Sequence, residues 1–140
     1  MKRIGSAVWQ GDLKSGKGTV ATQSGAVKDM PYSFTSRFEN GTGTNPEELI
    51  AAAHAGCFSM AASGALGKAG FTPEKLSTEA TLTLEQIDGK WTISAVHLAL
   101  KATVPGIAAD KFKEVTEDAK ANCPVSRLLN AKITLDAVLV

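Results

Sequence analysis

Polar and apolar residues alternate most cleanly between Leu76 and Glu85. Leu76, Thr78, Ala80, Leu82 and Leu84 fall on one parity, and Ser77, Glu79, Thr81, Thr83 and Glu85 on the other. That is the period of a strand with one buried face. The tripeptide from Asp88 to Lys90 predicts a tight hairpin into a second strand, from Trp91 to Val104. Within it the apolar parity shifts from Trp91 and Ile93 to Val96, Leu98 and Leu100, which predicts a bulge or cover on both faces.

Upstream, the runs IGSAVWQGD, GKGTVATQSG and PYSFTSRFE are punctuated by Gly11, Gly16, Gly18, Gly25 and Pro31, and predict a three-stranded meander. In the third run, alternation puts Tyr32, Phe34 and Phe38 on one face and Ser33, Thr35, Arg37 and Glu39 on the other. The pattern changes at Asn45. This residue suits a helix N-cap, Pro46 suits the first helical position and Glu48 completes a capping box. A long helix follows to Leu66 or Lys68, stopped by Gly67 and Gly70. After Gly106, Phe112, Val115 and Ala119 recur at helical spacing among charges, predicting a surface helix. Pro124 opens a short helix, and ITLDAVLV closes the chain as a strand. Strands and helices in this order make an α+β plan, expected as one domain over residues 1–140.

The stretch Leu49 to Leu66 is uncharged over eighteen residues, near the lower length limit of a membrane span. Its Ala, Gly and Ser content, with His54 inside it, favours a helix buried on all sides in a protein core. Fifteen basic against fourteen acidic residues give a net charge of +1, no field to recruit nucleic acid or an anionic membrane. The first residues, MKRIGSAVWQGD, lack the apolar run of a secretory signal, so a cytoplasmic location is expected. In that reducing compartment Cys57 and Cys123 are a reactive pair or two inert core thiols.

Burial in an apolar helix would raise the Cys57 thiol above its free value and leave it unreactive. Cys123, as N-cap before Pro124, would lie at a positive helix end that favours a thiolate. His54 precedes Cys57 by three residues on one helix face and could activate it. Only Cys57, Cys123, His54 and His97 could supply nitrogen or sulfur, without CxxC or HExxH spacing, so no metal is expected. Arg37 could hold a thiolate, or simply be solvated.

The segment GTNPEELIAAAHAGCFSMA, with NCPVS some sixty residues later, resembles the OsmC/Ohr hydroperoxide reductase family. The resemblance extends to AVWQGDLKSGKGTV and PYSFTSRFE and is stronger to the OsmC (osmotically inducible protein C) branch, since the Ohr branch has tyrosine in place of His54. It implies an antiparallel sheet of about six strands with a long central helix, in an intertwined homodimer with active sites at the subunit interface. It places the peroxidatic cysteine at Cys57, the resolving cysteine at Cys123, the arginine at Arg37 and the helix-start glutamate at Glu47.

The implied reaction needs no cofactor and belongs to oxidative and osmotic stress defence. The Cys57 thiolate takes oxygen from an organic hydroperoxide, the sulfenic acid condenses with Cys123, and an external dithiol reduces the disulfide. Leu49, Phe58 and Met60 are expected to line the substrate pocket. If Glu47 and Cys57 share a site, the ten residues between them, about 15 Å along a helix axis, imply that each chain contributes to the other's site. The competing expectation is a non-enzymatic protein that binds a hydrophobic ligand or partner, with both cysteines merely packed.

Overall fold

The computed structural model describes the whole chain, Met1–Val140. The chain packs as two compact units, Met1–Leu49 and Ile50–Val140.

In the first unit, β1 (Gly5–Gln10), β2 (Lys17–Thr22) and β3 (Met30–Tyr32) form an antiparallel sheet in chain order. Gly18 pairs with Trp9 on one side and Tyr32 on the other. With no side chain between them, the two rings meet across the central strand at 5.3 Å between centroids. A Cβ on Gly18 would lie 2.4 Å from the Tyr32 ring, so this position excludes every other residue without rearrangement.

The third run is only partly a strand. After Tyr32 the chain turns into a short helix, α1 (Phe34–Phe38). Ser33 caps it reciprocally with Ser36: the Ser36 N–H donates to Ser33 Oγ at 3.2 Å, and the Ser33 N–H donates to Ser36 Oγ at 2.8 Å. Phe34 and Phe38 are four residues apart, so helix and strand both put them on one face, and the capping box decides for the helix. Their rings lie 5.0 Å apart.

The long helix, α2 (Pro46–Lys68), has the expected bounds. Asn45 Oδ1 accepts the Glu48 N–H at 2.8 Å, while the Glu48 carboxylate accepts the Thr44 hydroxyl at 2.6 Å. The far end closes as a Schellman turn, with Phe71 N–H on the Leu66 carbonyl at 2.9 Å and Gly70 N–H on Gly67 at 3.0 Å.

In the second unit, β4 (Lys75–Ile87) and β5 (Lys90–Thr103) form the expected hairpin. Asp88 and Gly89 both have positive φ in its turn, as a type I′ turn requires. The parity shift is a bulge: Thr83 pairs with Ala95 and Leu84 with Ile93, leaving Ser94 unpaired. Beyond it come α3 (Ala109–Asn122), α4 (Pro124–Leu128) and β6 (Lys132–Leu139). Because the chain crosses over through two helices, β6 returns parallel to β5. The six strands therefore make two three-stranded sheets, one of them mixed, in place of the single antiparallel sheet expected.

The core of this unit takes Phe58, Ala62 and Leu66 from α2, Val96, Leu98, Leu100 and Ala102 from β5, and Phe112, Val115 and Ala119 from α3. With buried His54, the α2 contribution recurs every fourth residue along one stripe of the helix. By length and composition α2 could cross a membrane; it is not buried on all sides as expected, since only this stripe packs into the core and the rest of the helix is half-buried or exposed.

Candidate active site

Cys57 lies about three turns into α2, and Cys123 lies between α3 and α4. The two sulfurs touch: Cys123 Sγ donates to Cys57 Sγ at 2.9 Å, and neither is in a disulfide. Cys123 N-caps α4 as expected, but its thiol makes no cap bond and is fully buried. Phe112, Val115, Ala119 and Cys123 share the apolar stripe of α3, which carries the thiol into the core.

Cys57 is half-buried. Burial, first, and the closeness of the Cys123 sulfur push its thiol above the usual range, while the Val125 backbone N–H pulls the other way. The isolated chain thus favours the protonated thiol, and nucleophilic attack calls for a further positive group. Phe58, expected in a substrate pocket, is instead fully buried in the core, because it falls on the inward stripe of α2. Leu49 is half-buried and Met60 exposed.

His54 is fully buried, with Nε2 2.7 Å from Ser126 Oγ on α4. Burial lowers its pKa, so the ring is neutral near pH 7. Ser126 is a polar neighbour of Cys123 in the sequence, whereas the Val125 amide on Cys57 carries no sequence signal. Ser126 stands inside the NCPVS motif, but its partner is 72 residues upstream, beyond any local pattern.

Arg37 and Glu47 form the other pair, both within the first unit. Arg37 Nη2 donates to Glu47 Oε1 at 2.7 Å, and Nε donates to the two carboxylate oxygens at 3.1 and 3.2 Å. The guanidinium also lies 5.0 Å from the centre of the Phe38 ring. Strand alternation had turned Arg37 away from Phe34 and Phe38; in α1 it stacks on Phe38. Trp9, Leu13, Tyr32, Phe34, Arg37 and Phe38 line a cleft of about 250 Å³ beside it. A fork held by a carboxylate at a helix start keeps its remaining donors in a fixed orientation, suited to an anionic or polarisable oxygen.

Residues 39–137, which hold Glu47, Cys57 and Cys123, match the family model for OsmC-like proteins. The chain belongs to the OsmC-like family. Over 132 residues it is 53% identical to the peroxiredoxin OsmC of Escherichia coli strain K12, covering 94% of this chain and 92% of that one. It is 32% identical over 101 residues to the organic hydroperoxide resistance protein of Xanthomonas axonopodis pv. citri, covering 71% and 68%. Among solved structures, the organic hydroperoxide resistance protein OhrB of Bacillus subtilis superposes with a TM-score of 0.75 at 22% identity, covering 96% of this chain and 98% of that one. The OsmC-like fold is thus shared at a level where sequence alone says little.

Proposed function

We propose that this OsmC-like chain is a two-cysteine thiol peroxidase that reduces organic hydroperoxides, and inorganic peroxide more weakly, to the corresponding alcohol or water. The observation that carries this reading is the 2.9 Å contact between Cys57 and Cys123, side chains 66 residues apart in sequence. Relatives named as a peroxiredoxin and as an organic hydroperoxide resistance protein support it.

The Cys57 thiolate attacks the distal peroxide oxygen; the O–O bond breaks, the alkoxide leaves and takes a proton, and Cys57 becomes a sulfenic acid. The Cys123 thiol then displaces that hydroxyl as water, forming a disulfide. An external dithiol exchanges with it and returns both thiols.

Arg37, oriented by Glu47, is the cation proposed to favour the thiolate and polarise the peroxide. Glu47 precedes Cys57 by ten residues on one helix, about 15 Å along its axis. A two-fold dimer with antiparallel α2 helices would bring each Arg37–Glu47 pair to the partner's cysteine. Ala52, Ala53, Gly56, Met60, Gly64 and Gly67 are exposed on α2, and the space above the three glycines is open, which suits close approach by a second helix. Both units then serve one functional domain, residues 1–140, in the cytoplasm.

The upward push on Cys57 also favours a second reading, a hydrophobic-ligand or partner-binding protein with packed, inert thiols. Turnover separates the two. With an external dithiol, an alkyl hydroperoxide should be converted to its alcohol catalytically, faster than hydrogen peroxide is consumed. Absence of alcohol above the protein-free rate contradicts the peroxidase reading.

A further inference from the structure

None of the proposed chemical steps uses His54, yet this side chain is fully buried and has one nitrogen, Nδ1, with no hydrogen-bond partner. Its other nitrogen makes a 2.7 Å bond to Ser126. A ring protonated at Nδ1 would bury an unmatched N–H; a proton at Nε2 leaves only a bare lone pair at Nδ1, the smaller cost. The ring therefore donates from Nε2 to Ser126 Oγ. A buried group with half its polar capacity unused is costly to keep unless the bond it does make matters.

That bond ties two elements that carry the two cysteines. His54 stands one turn before Cys57 on α2, and Ser126 lies in the single turn that Cys123 caps. α4 has only five residues and no fully buried side chain of its own, so apolar packing alone holds it weakly. Its ties to α2 include the Val125 amide on Cys57, the thiol contact and the His54–Ser126 bond. When Cys57 gains an oxygen, the thiol contact is disturbed and the sulfurs must still approach to about 2.05 Å. The His54–Ser126 bond does not involve the reacting atoms.

We propose that His54 is a positioning residue for disulfide formation, anchoring Ser126 so that Cys123 stays in line with the oxidised Cys57. The proposal rests on the assignment of Cys57 as the sulfur that is oxidised. The side chain supplies no proton and touches no peroxide; it fixes the resolving arm.

The test is single-turnover oxidation by an alkyl hydroperoxide, with Cys57 sulfenic acid trapped by a dimedone-type reagent and the disulfide quantified by mass spectrometry. In Ser126→Ala and His54→Leu the rate of disulfide formation, relative to that of Cys57 oxidation, should fall about tenfold, the effect of one lost hydrogen bond, and trapped sulfenic acid should rise in parallel. His54→Gln, which keeps a donor near the Nε2 position, should restore the ratio to within about twofold. An unchanged ratio in Ser126→Ala and His54→Leu overturns the proposal. So does an equal fall in a folded His54→Gln, since ring packing and not the bond would then be responsible. If the wild-type chain forms neither Cys57 sulfenic acid nor the Cys57–Cys123 disulfide, the peroxidase assignment itself has failed, and the proposal falls with it.

Discussion

Cys123 donates to Cys57 across 2.9 Å, joining the N-cap of a five-residue helix to the middle of a 23-residue one. The pair is asymmetric in burial, with Cys57 half-buried and Cys123 fully enclosed. An oxidant arriving from solvent meets Cys57 first. Cys57→Ser should therefore abolish turnover, whereas Cys123→Ser should consume about one peroxide per chain and stop at sulfenic acid. Mass spectrometry of each variant after one addition of peroxide checks this; a Cys123→Ser protein inert in its first turnover beside a Cys57→Ser protein that still reacts reverses the roles.

Arg37→Met removes the proposed cation and leaves burial and Cys123 to dominate, so the Cys57 thiol should titrate above the ordinary range. Attack on peroxide at neutral pH should slow about 100-fold, and the pH–rate curve should move to higher pH. The fold should survive, because the ion pair is partly solvent-exposed and worth about 1 kcal/mol or less. Stopped-flow oxidation across pH, beside a thermal melt, checks both halves.

Sharing of the site between chains predicts complementation. Cys57→Ser and Glu47→Gln chains, each weak alone, should regain activity on subunit exchange, because the heterodimer holds one complete site. Demonstrated exchange without recovery contradicts the two-chain site.

His54 also sets a pH dependence of stability. Burial lowers its folded pKa below the unfolded value near 6.5, so the unfolded chain binds the extra proton more readily. The contribution is fully present above about pH 6.5 and is lost as pH falls through the folded pKa. Urea midpoints of the wild type should decline from about pH 6.5 downward more steeply than those of His54→Gln.

Much of this was legible locally. The alternation from Leu76, the Asp88–Gly89 turn, the Asn45 cap and the α3 stripe are each written within a few residues and recur in the structure. PYSFTSRFE misled because aromatic residues four apart satisfy both periods, and the Ser33–Ser36 capping box that decides between them lay unread. The parallel return of β6 and the His54–Ser126 bond join distant segments, for which periodicity has no signal. The pairing of Cys57 with Cys123 was anticipated through family resemblance, not from spacing.

The fold itself offers an independent check at Gly18. Gly18→Ala would drive a methyl group into the Tyr32 ring and separate it from Trp9, costing about 1–3 kcal/mol. A thermal melt should show the loss, with both thiols still able to react.

The most direct test of the central claim is thiol stoichiometry after one equivalent of an alkyl hydroperoxide, with peptide mapping of the product. The account predicts that both thiols disappear together and that one intrachain disulfide links the peptides bearing Cys57 and Cys123. Two titratable thiols remaining after the peroxide is added, with no such linked peptide, would contradict it.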